Sequence, residues 1–135
     1  IENNYELVMF ETESHTGSPI YHTDVLMYVG TSAIGICYEV IKPEYRDLVK
    51  ERVERFHDVI EIKKEQLLNF CGNCLEIPDK DGNLLLAMST TAFNAYTELQ
   101  KEKIKKHFKK IVHSDISTIE KYGGGSARCM LAELF

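Results

Sequence analysis

Residues 21–62, YHTDVLMYVGTSAIGICYEVIKPEYRDLVKERVERFHDVIEI, contain the pattern from which the architecture of the chain follows. Alternation of apolar and polar residues predicts a strand over residues 21–29, and a second strand follows over residues 34–38. Pro43 then opens a helix whose apolar side chains recur three and four positions apart. Residues 59–62 predict a short third strand. The segment therefore predicts one strand–strand–helix–strand unit.

The same order of elements is predicted to recur in the second half of the chain. Residues 74–77 and 84–87 flank an Asp-Gly pair, which is a strong hairpin signal. A helix begins after Ser89 and a new one starts at Thr97, because the four residues from Thr97 have the form of a capping box. We therefore predict an α/β fold built from repeated ββαβ modules.

The remaining segments give further predictions. Six lysines between positions 101 and 110 interleave with apolar residues and are interpreted as the solvated face of a helix. Residues 116–120 are predicted as a strand, and a last strand is predicted to begin at Cys129. Residues 5–10 predict another strand, and a chain that begins at Ile1 without a methionine suggests a starting cut.

The composition is that of one globular unit. The chain has 135 residues, of which 44% are hydrophobic and 27% charged, and a chain of this size buries roughly two-thirds of its unfolded surface. No apolar run approaches the roughly 18 residues that span a bilayer, and no charged-then-apolar leader opens the sequence. The net charge of -5 disfavours nucleic-acid binding. We expect a soluble, cytoplasmic protein with no membrane or nucleic-acid partner.

The four cysteines, Cys37, Cys71, Cys74 and Cys129, are interpreted as free thiols in a reducing compartment. The Cys71-Gly72-Asn73-Cys74 segment has the spacing of a zinc or redox motif. Zinc, however, needs a second ligand pair, and a thioredoxin-like dithiol normally opens a helix. We therefore expect two sheltered thiols at these positions, no metal site and no cofactor.

A candidate reactive thiol lies in residues 122–129, YGGGSARC. Glycines let the main chain and its N–H groups approach a small ligand closely, although the same run also fits a plain loop. The segment near His22 and Asp24 strengthens the functional interpretation, because a strand would project both side chains from one face. A cysteine with a distant histidine and a carboxylate is typical of covalent cysteine chemistry.

Four segments, PIYHTDVLMYVGT, LLNFCGNCLEI, LLLAMSTTAF and STIEKYGGGSARCMLAELF, carry a resemblance that covers Pro19 to Phe135. In this order and spacing they resemble the C-terminal half of amidinotransferase-like proteins, a guanidine-modifying family related to arginine deiminases. The resemblance implies a pentein fold, a five-bladed α/β propeller of ββαβ modules with the active site in its central channel. Residues 1–135 would form the C-terminal catalytic half, and the N-terminal half with further acidic groups would be absent.

The resemblance also implies roles for individual residues. Cys129 would form a covalent amidino adduct with an arginine- or citrulline-like guanidino or ureido substrate. His22 would protonate the departing amine and then activate water, as in a hydrolase, or an acceptor amine, as in a transferase. Asp24 would bind guanidinium N–H groups or orient His22. Gly125 and Arg128 would complete the substrate site, with Arg128 binding a substrate carboxylate or holding the turn.

Two other functions remain open. Unpaired strand edges and uncovered faces would make the isolated chain self-associate, and without the N-terminal half it is expected to be inactive. The first alternative to an enzyme is a noncatalytic interaction module, whose open strand edges pair with a partner, or an inactive fragment. The other alternative is a thiol redox protein that uses Cys71 and Cys74.

Overall fold

The computed structural model describes residues 6–132, which contain two sheets of three strands each. The elements of the first unit are α1 (Thr23–Leu26), β1 (Met27–Val29), β2 (Ala33–Ile36), α2 (Pro43–Glu54) and β3 (Asp58–Glu61). β1 pairs antiparallel with β2, and β2 pairs parallel with β3. The parallel pair requires a crossover connection, which α2 provides. The predicted strand–strand–helix–strand unit is confirmed.

The second unit repeats the topology of the first. Its elements are α3 (Lys64–Leu67), β4 (Leu75–Pro78), β5 (Leu84–Ser89), α4 (Thr90–Ala95), α5 (Glu98–Ile104) and β6 (Lys110–Ser114). β4 pairs antiparallel with β5, and β5 pairs parallel with β6, so the order and direction of the strands match the first sheet. Two repeated ββαβ units are therefore present. They are followed by α6 (Ser117–Gly123) and a short 3-10 turn, Arg128–Met130.

Side-chain hydrogen bonds stabilise both the predicted hairpin turn and the start of the predicted new helix at Thr97. Asp79 Oδ1 accepts from the backbone N–H groups of Asp81 and Asn83 at 2.9 and 2.8 Å, which closes the turn between β4 and β5. Thr97 Oγ1 accepts from the backbone N–H of Gln100 at 3.2 Å, and Gln100 Oε1 accepts from that of Thr97 at 2.9 Å. This reciprocal pair is a capping box, and it starts α5 as a separate helix.

One hydrophobic core joins the two units. Its largest fully buried side chains come from both, and include Leu26, Ile36, Ile60, Leu86, Ile104 and Phe108. A polar link crosses the boundary as well, because the backbone N–H and the hydroxyl of Thr31 donate to the Glu76 carboxylate at 2.9 and 2.7 Å. The two sheets are thus packed against each other, which fixes the positions of the loops that they carry.

Residues 21–24 do not lie in a strand, so the prediction that His22 and Asp24 project from one strand face is wrong. β1 begins only at Met27, opposite Ile36, where β2 ends. After Ile36 the chain soon leaves the sheet for a 3-10 turn, so the residues before Met27 have no strand to pair with. They form the helical turn α1 instead, and His22 is its N-terminal cap residue.

The end of the chain also differs from its prediction. Most of residues 116–120 lie in helix α6 rather than in a strand, and Cys129 lies in a 3-10 turn rather than at the start of a strand. The third strand of the second sheet is β6, which begins at Lys110, the last lysine of the segment that sequence analysis interprets as the face of a helix. β6 pairs parallel with β5, and Ile111 is its buried residue.

Lys101 is the exception among the six lysines. Its side chain is buried, with Nζ 4.3 Å from the centre of the Phe93 ring and 2.9 Å from Glu98 Oε1. A long lysine stem can pack on an aromatic face while its ammonium keeps a charged partner. The other five lysines of the segment are exposed, as predicted, but only Lys103 of these lies in α5, so the predicted helix covers less of the segment.

The strand predicted over residues 5–10 is not formed where the structure describes it. Tyr5 lies outside the described residues, and residues 6–10 have no regular secondary structure. Thr12 makes an isolated antiparallel bridge with Ile41, which brings this segment beside the first unit. Within residues 6–132, none of the helices has the length and apolar character that crossing a membrane requires.

Candidate active site

A cavity of about 490 Å³ contains most of the residues singled out by sequence. Its wall is formed by α1 with the residues before it, by residues from the end of α3 to Asn73, and by the three glycines at the end of α6 and just after it. His22, Asp24, Gly125 and Cys129 all line it, although they are separated by up to about a hundred positions in the chain. Arg128 is not among the lining residues. The catalytic and binding roles of these residues remain predictions.

The glycine run presents Cys129 to this cavity. Helix α6 ends at Gly123, and Gly124 has a φ of 69°, a left-handed conformation that favours glycine and ends helices. The chain then turns back through Ser126 and Ala127, both buried, into the 3-10 turn that holds Cys129. Cys129 is the exposed thiol among the four cysteines.

Gly125 provides the space that the Cys129 side chain occupies. A Cβ at position 125 would lie 3.0 Å from both Cβ and Sγ of Cys129, which is closer than side-chain atoms normally approach. Sequence analysis places Gly125 in the substrate site. The contact gives it a second role, because any larger residue there would displace the sulfur.

Cys129, Asp24 and Asn73 form a hydrogen-bonded group at the cavity wall. Cys129 Sγ lies 3.5 Å from Asp24 Oδ2 and donates to it. Asn73 Nδ2 donates to Cys129 Sγ at 3.1 Å and to Asp24 Oδ2 at 3.3 Å. A thiol and a carboxylate are thereby held side by side, with an amide donor between them. A planar cation that entered the cavity would meet the carboxylate next to the sulfur.

Asn73 reaches this group because of two unusual backbone features in its own segment. Phe70 has a φ of 61°, a left-handed conformation that costs a residue with a side chain about 1–2 kcal/mol. Gly72 packs under α1, where a Cβ would lie 2.4 Å from the carbonyl oxygen of Val25. The turn at Phe70 and the close approach at Gly72 place Asn73 directly against Asp24.

His22 lies in the wall of the same cavity and is exposed. As the cap residue of α1 it stands two positions before Asp24, so the helical turn determines the placement of both. Its ring is 4.9 Å from the ring of Tyr21, centre to centre. A solvent-accessible imidazole in the cavity that also contains the Cys129 thiol is suited to proton transfer.

The buried carboxylate of Glu120 anchors the glycine run to the rest of the fold. It accepts hydrogen bonds from Ser126 Oγ and Thr91 Oγ1, both at 2.6 Å. Burial alone would raise the pKa of Glu120, but the hydrogen bonds from Ser126, Thr91 and Ser89 outweigh it and lower that pKa. Helix α6, the residues before Cys129 and the start of α4 are therefore tied at one point.

The backbone of Arg128 is part of the site, whereas its side chain is outside the cavity lining. Its N–H donates to Asn73 Oδ1 at 3.0 Å. This contact is made by the backbone, so the role of the Arg128 side chain, binding a substrate carboxylate or holding the turn, stays a prediction.

Asn73 and Glu120 are the site residues that sequence analysis does not identify. The signal for Asn73 was the Gly-Asn pair between the two cysteines, since a small residue before an amide indicates a close backbone approach. The signal for Glu120 was its position three residues before the first of three glycines, where an acid can accept hydrogen bonds from a turn.

The other three cysteines are buried and free, as expected. Burial raises the pKa of Cys71 to about 12 and raises the pKa of Cys74 further, with the neighbouring Cys71 adding to it. Burial likewise raises the pKa of Cys37. Among the described residues no group of three or more histidine, cysteine or acidic side chains could hold a metal ion.

The chain is thus an α/β protein of two ββαβ units, with a cavity lined by a cysteine, a histidine and a carboxylate. The family model of eukaryotic N,N dimethylarginine dimethylhydrolase matches residues 1–135, and the chain belongs to this family. No curated protein gave a significant match.

Solved structures with the same fold come from ArgZ, an arginine dihydrolase from the ornithine-ammonia cycle in cyanobacteria. The product-bound N-terminal domain of ArgZ matches with a TM-score of 0.61 and 18% identity, over 81% of this chain and 36% of that one. A variant of that domain, covalently bound to a reaction intermediate, matches with a TM-score of 0.62, again at 18% identity, over 81% of this chain and 36% of that one. Apo ArgZ matches with a TM-score of 0.61 at 18% identity, over 81% of this chain and 15% of the ArgZ chain. The chain thus spans about a third of the domain it resembles, and at this identity the likeness shows the fold alone.

Proposed function

We propose that the chain carries the nucleophile of a cysteine-dependent hydrolase that acts on guanidino compounds. The observation that supports this most directly is the placement of Cys129 Sγ 3.5 Å from Asp24 Oδ2 in the cavity that also contains His22. Family membership supports the same class of activity, because the family is named for a dimethylarginine hydrolase.

The cavity suits a planar cation on one side and an apolar stem on the other. The Asp24 carboxylate accepts hydrogen bonds from two N–H groups of a guanidinium in a fork arrangement. Tyr21 and Phe70 add aromatic walls, against which a cation or a methylene chain packs favourably. The proposed substrate class is arginine-like guanidines, including methylated ones. Neutral ureido compounds are poorer candidates, because they lack the charge that Asp24 would attract.

The proposed reaction has two steps. The thiolate of Cys129 attacks the guanidinium carbon, a C–S bond forms, and the C–N bond to the leaving amine breaks as His22 donates a proton to that nitrogen. Neutral His22 then takes a proton from water, the oxygen attacks the same carbon, and the C–S bond breaks. The products are an amine or ammonia, a urea-type compound and free Cys129.

Transfer to an acceptor amine would use the same first step and is the second candidate. Hydrolysis is preferred because the family is one of hydrolases and the ArgZ structures with this fold are of an arginine dihydrolase. We also propose that the full site includes groups beyond this chain. The resemblance implies them, and the chain spans about a third of the ArgZ domain.

The proposal is tested by assaying the full-length protein for release of ammonia or alkylamine from arginine and N,N-dimethylarginine. Cys129→Ser should abolish turnover, and His22→Ala should lower it at least about 100-fold. His15→Ala is the matched control, because His15 is an exposed histidine outside the cavity, and it should leave turnover unchanged. Undiminished turnover in Cys129→Ser would refute the proposed nucleophile.

A further inference from the structure

Asn73 connects three parts of the candidate site through one side chain that is only 5% exposed. Its amide oxygen accepts from the backbone N–H of Arg128 at 3.0 Å. Its amide nitrogen donates to Cys129 Sγ at 3.1 Å and to Asp24 Oδ2 at 3.3 Å. No other side chain in residues 6–132 donates hydrogen bonds to both the Cys129 sulfur and the Asp24 carboxylate.

The direction of the amide group follows from its partners. A backbone N–H can only donate, so the side-chain oxygen of Asn73 must face Arg128. A carboxylate can only accept, so the NH₂ group must face Asp24. Each of the two amide hydrogens then has an acceptor, one on Asp24 and one on the sulfur. Turning the amide over would place oxygen against carboxylate and leave the Arg128 N–H facing a donor.

The backbone around Asn73 holds this geometry fixed. Its own N–H donates to the carbonyl oxygen of Phe70 at 2.9 Å, which closes the left-handed turn there. The carbonyl of Cys71 accepts from the buried Tyr96 hydroxyl at 2.6 Å. The amide is therefore presented by a rigid turn, which lets it fix the positions of the groups that it contacts.

We propose that Asn73 is a positioning residue that keeps the Cys129 sulfur and the Asp24 carboxylate at a set distance and stabilises the thiolate by hydrogen-bond donation. A donor favours the charged form of an acceptor, and without one the thiolate would form beside a carboxylate with no compensation. The catalytic consequence rests on the proposed function. The structural role and its effect on the thiol do not depend on which substrate is used.

The test compares Asn73→Asp with Asn69→Asp in the full-length protein. Asn73→Asp keeps an oxygen for the Arg128 N–H but replaces the NH₂ by a second acceptor, with almost no change of shape. Asn69 is the matched control, because it is an exposed asparagine in the same segment whose amide donates to the carbonyl oxygen of Glu65. The readout is the rate of Cys129 alkylation by iodoacetamide as a function of pH, mapped by mass spectrometry.

We expect the alkylation profile of Asn73→Asp to move to higher pH by at least about one unit, since the variant loses the donor to the thiolate and adds a second carboxylate beside it. The profile of Asn69→Asp should stay in place. For a guanidine that the wild-type protein hydrolyses, kcat of Asn73→Asp should fall at least about tenfold with little rise in KM, because the added carboxylate does not weaken cation binding. An unmoved profile in a folded Asn73→Asp protein would overturn the inference.

A measurement on the wild-type protein covers the case in which the variant does not fold. The side-chain NH₂ resonances of Asn73 should shift on titration with the same midpoint as the alkylation of Cys129, and resonances that do not respond would also overturn the inference. The test of the role of Asn73 and the test of guanidine hydrolysis can fail independently of each other. A shifted profile without turnover of any guanidine refutes the function alone, whereas turnover with an unmoved profile refutes the role of Asn73 alone.

Discussion

Gly125 and Cys129 are packed so closely that a Cβ on Gly125 would lie 3.0 Å from the Cys129 sulfur. The two residues belong to opposite ends of the turn that follows α6, and the thiol fills the space that a side chain at position 125 would take. The glycine is therefore required by the position of the sulfur. This is a requirement for space, distinct from the flexibility that three consecutive glycines suggest in the sequence.

Gly125→Ala should lower turnover by about 10- to 100-fold, because displacement of a reacting atom by a fraction of an ångström to an ångström has effects of this size. The measurement is kcat/KM together with the alkylation rate of Cys129. Gly123→Ala is the comparison for folding, since a Cβ there would meet only Ile119 Cγ2, at an ordinary 3.6 Å. It should unfold at the same temperature or slightly higher. Equal alkylation rates in Gly125→Ala and wild type would contradict the steric argument.

The four thiols should differ widely in reactivity. Cys129 is exposed, whereas Cys37, Cys71 and Cys74 are buried, and burial raises the pKa of each of these three. Brief treatment with iodoacetamide at neutral pH should label Cys129 first, because the thiolate is the reactive form. Peptide mapping measures the order. Labelling of Cys71 or Cys74 before Cys129, in protein that circular dichroism shows to be folded, would disprove this order. It would favour the alternative function, a thiol redox protein that uses Cys71 and Cys74.

Local patterns in the sequence predicted the two-unit architecture well. The Asp-Gly hairpin and the capping box at Thr97 work through contacts between residues at most four positions apart, so their signal is contained in the sequence. The errors arose where a distant partner decides the structure. Residues 21–24 have no strand to pair with because β2 ends at Ile36. No residue near His22 in the sequence indicates where β2 ends.

In the candidate site, too, some residues could be predicted from the sequence, whereas contacts between distant residues could not. Cys129, His22 and Asp24 were found from their residue types and their order along the chain, and the structure brings all three to one cavity. The contacts of Asn73 with Asp24 and Cys129 join residues 49 and 56 positions apart. The Gly-Asn pair indicates a close backbone approach in this loop, but the sequence does not show which residues the Asn73 amide contacts, so its role required the structure.

Glu120 should make stability depend on pH. Its hydrogen bonds lower its pKa in the folded state below the usual 4.5, although burial opposes this. A carboxyl group whose folded pKa is lowered stabilises the fold fully above its unfolded pKa, and the contribution is lost as pH falls through the folded pKa. The free energy of unfolding should therefore decrease below about pH 4.5, measured by urea denaturation across pH.

Glu120→Gln should remove much of that dependence and lower the free energy of unfolding at pH 7 by about 1–2 kcal/mol, because hydrogen bonds to a charged group are the stronger ones. Glu102→Gln is the matched control, since Glu102 is an exposed acid on α5. It should change stability by less than about 0.5 kcal/mol. If the two variants show the same pH dependence, the Glu120 carboxylate does not anchor the glycine run.

Asp24→Asn should distinguish substrates by their charge. The carboxylate lies against the sulfur, so its proposed function is to hold a guanidinium there, and an amide of the same shape lacks the charge for this. KM for a cationic guanidine should rise at least about tenfold, because the lost interaction is a charge-assisted, bidentate one. KM for a neutral ureido analogue, or its inhibition constant, should change by less than about threefold.

Asp47→Asn, at an exposed position on α2, is the control for the loss of one negative charge from the protein as a whole. Steady-state kinetics on the cationic and neutral compounds at two ionic strengths measures the difference, since long-range attraction is screened by salt and direct contact much less so. An equal rise of KM for both compounds would mean that Asp24 shapes the cavity rather than binding the cation.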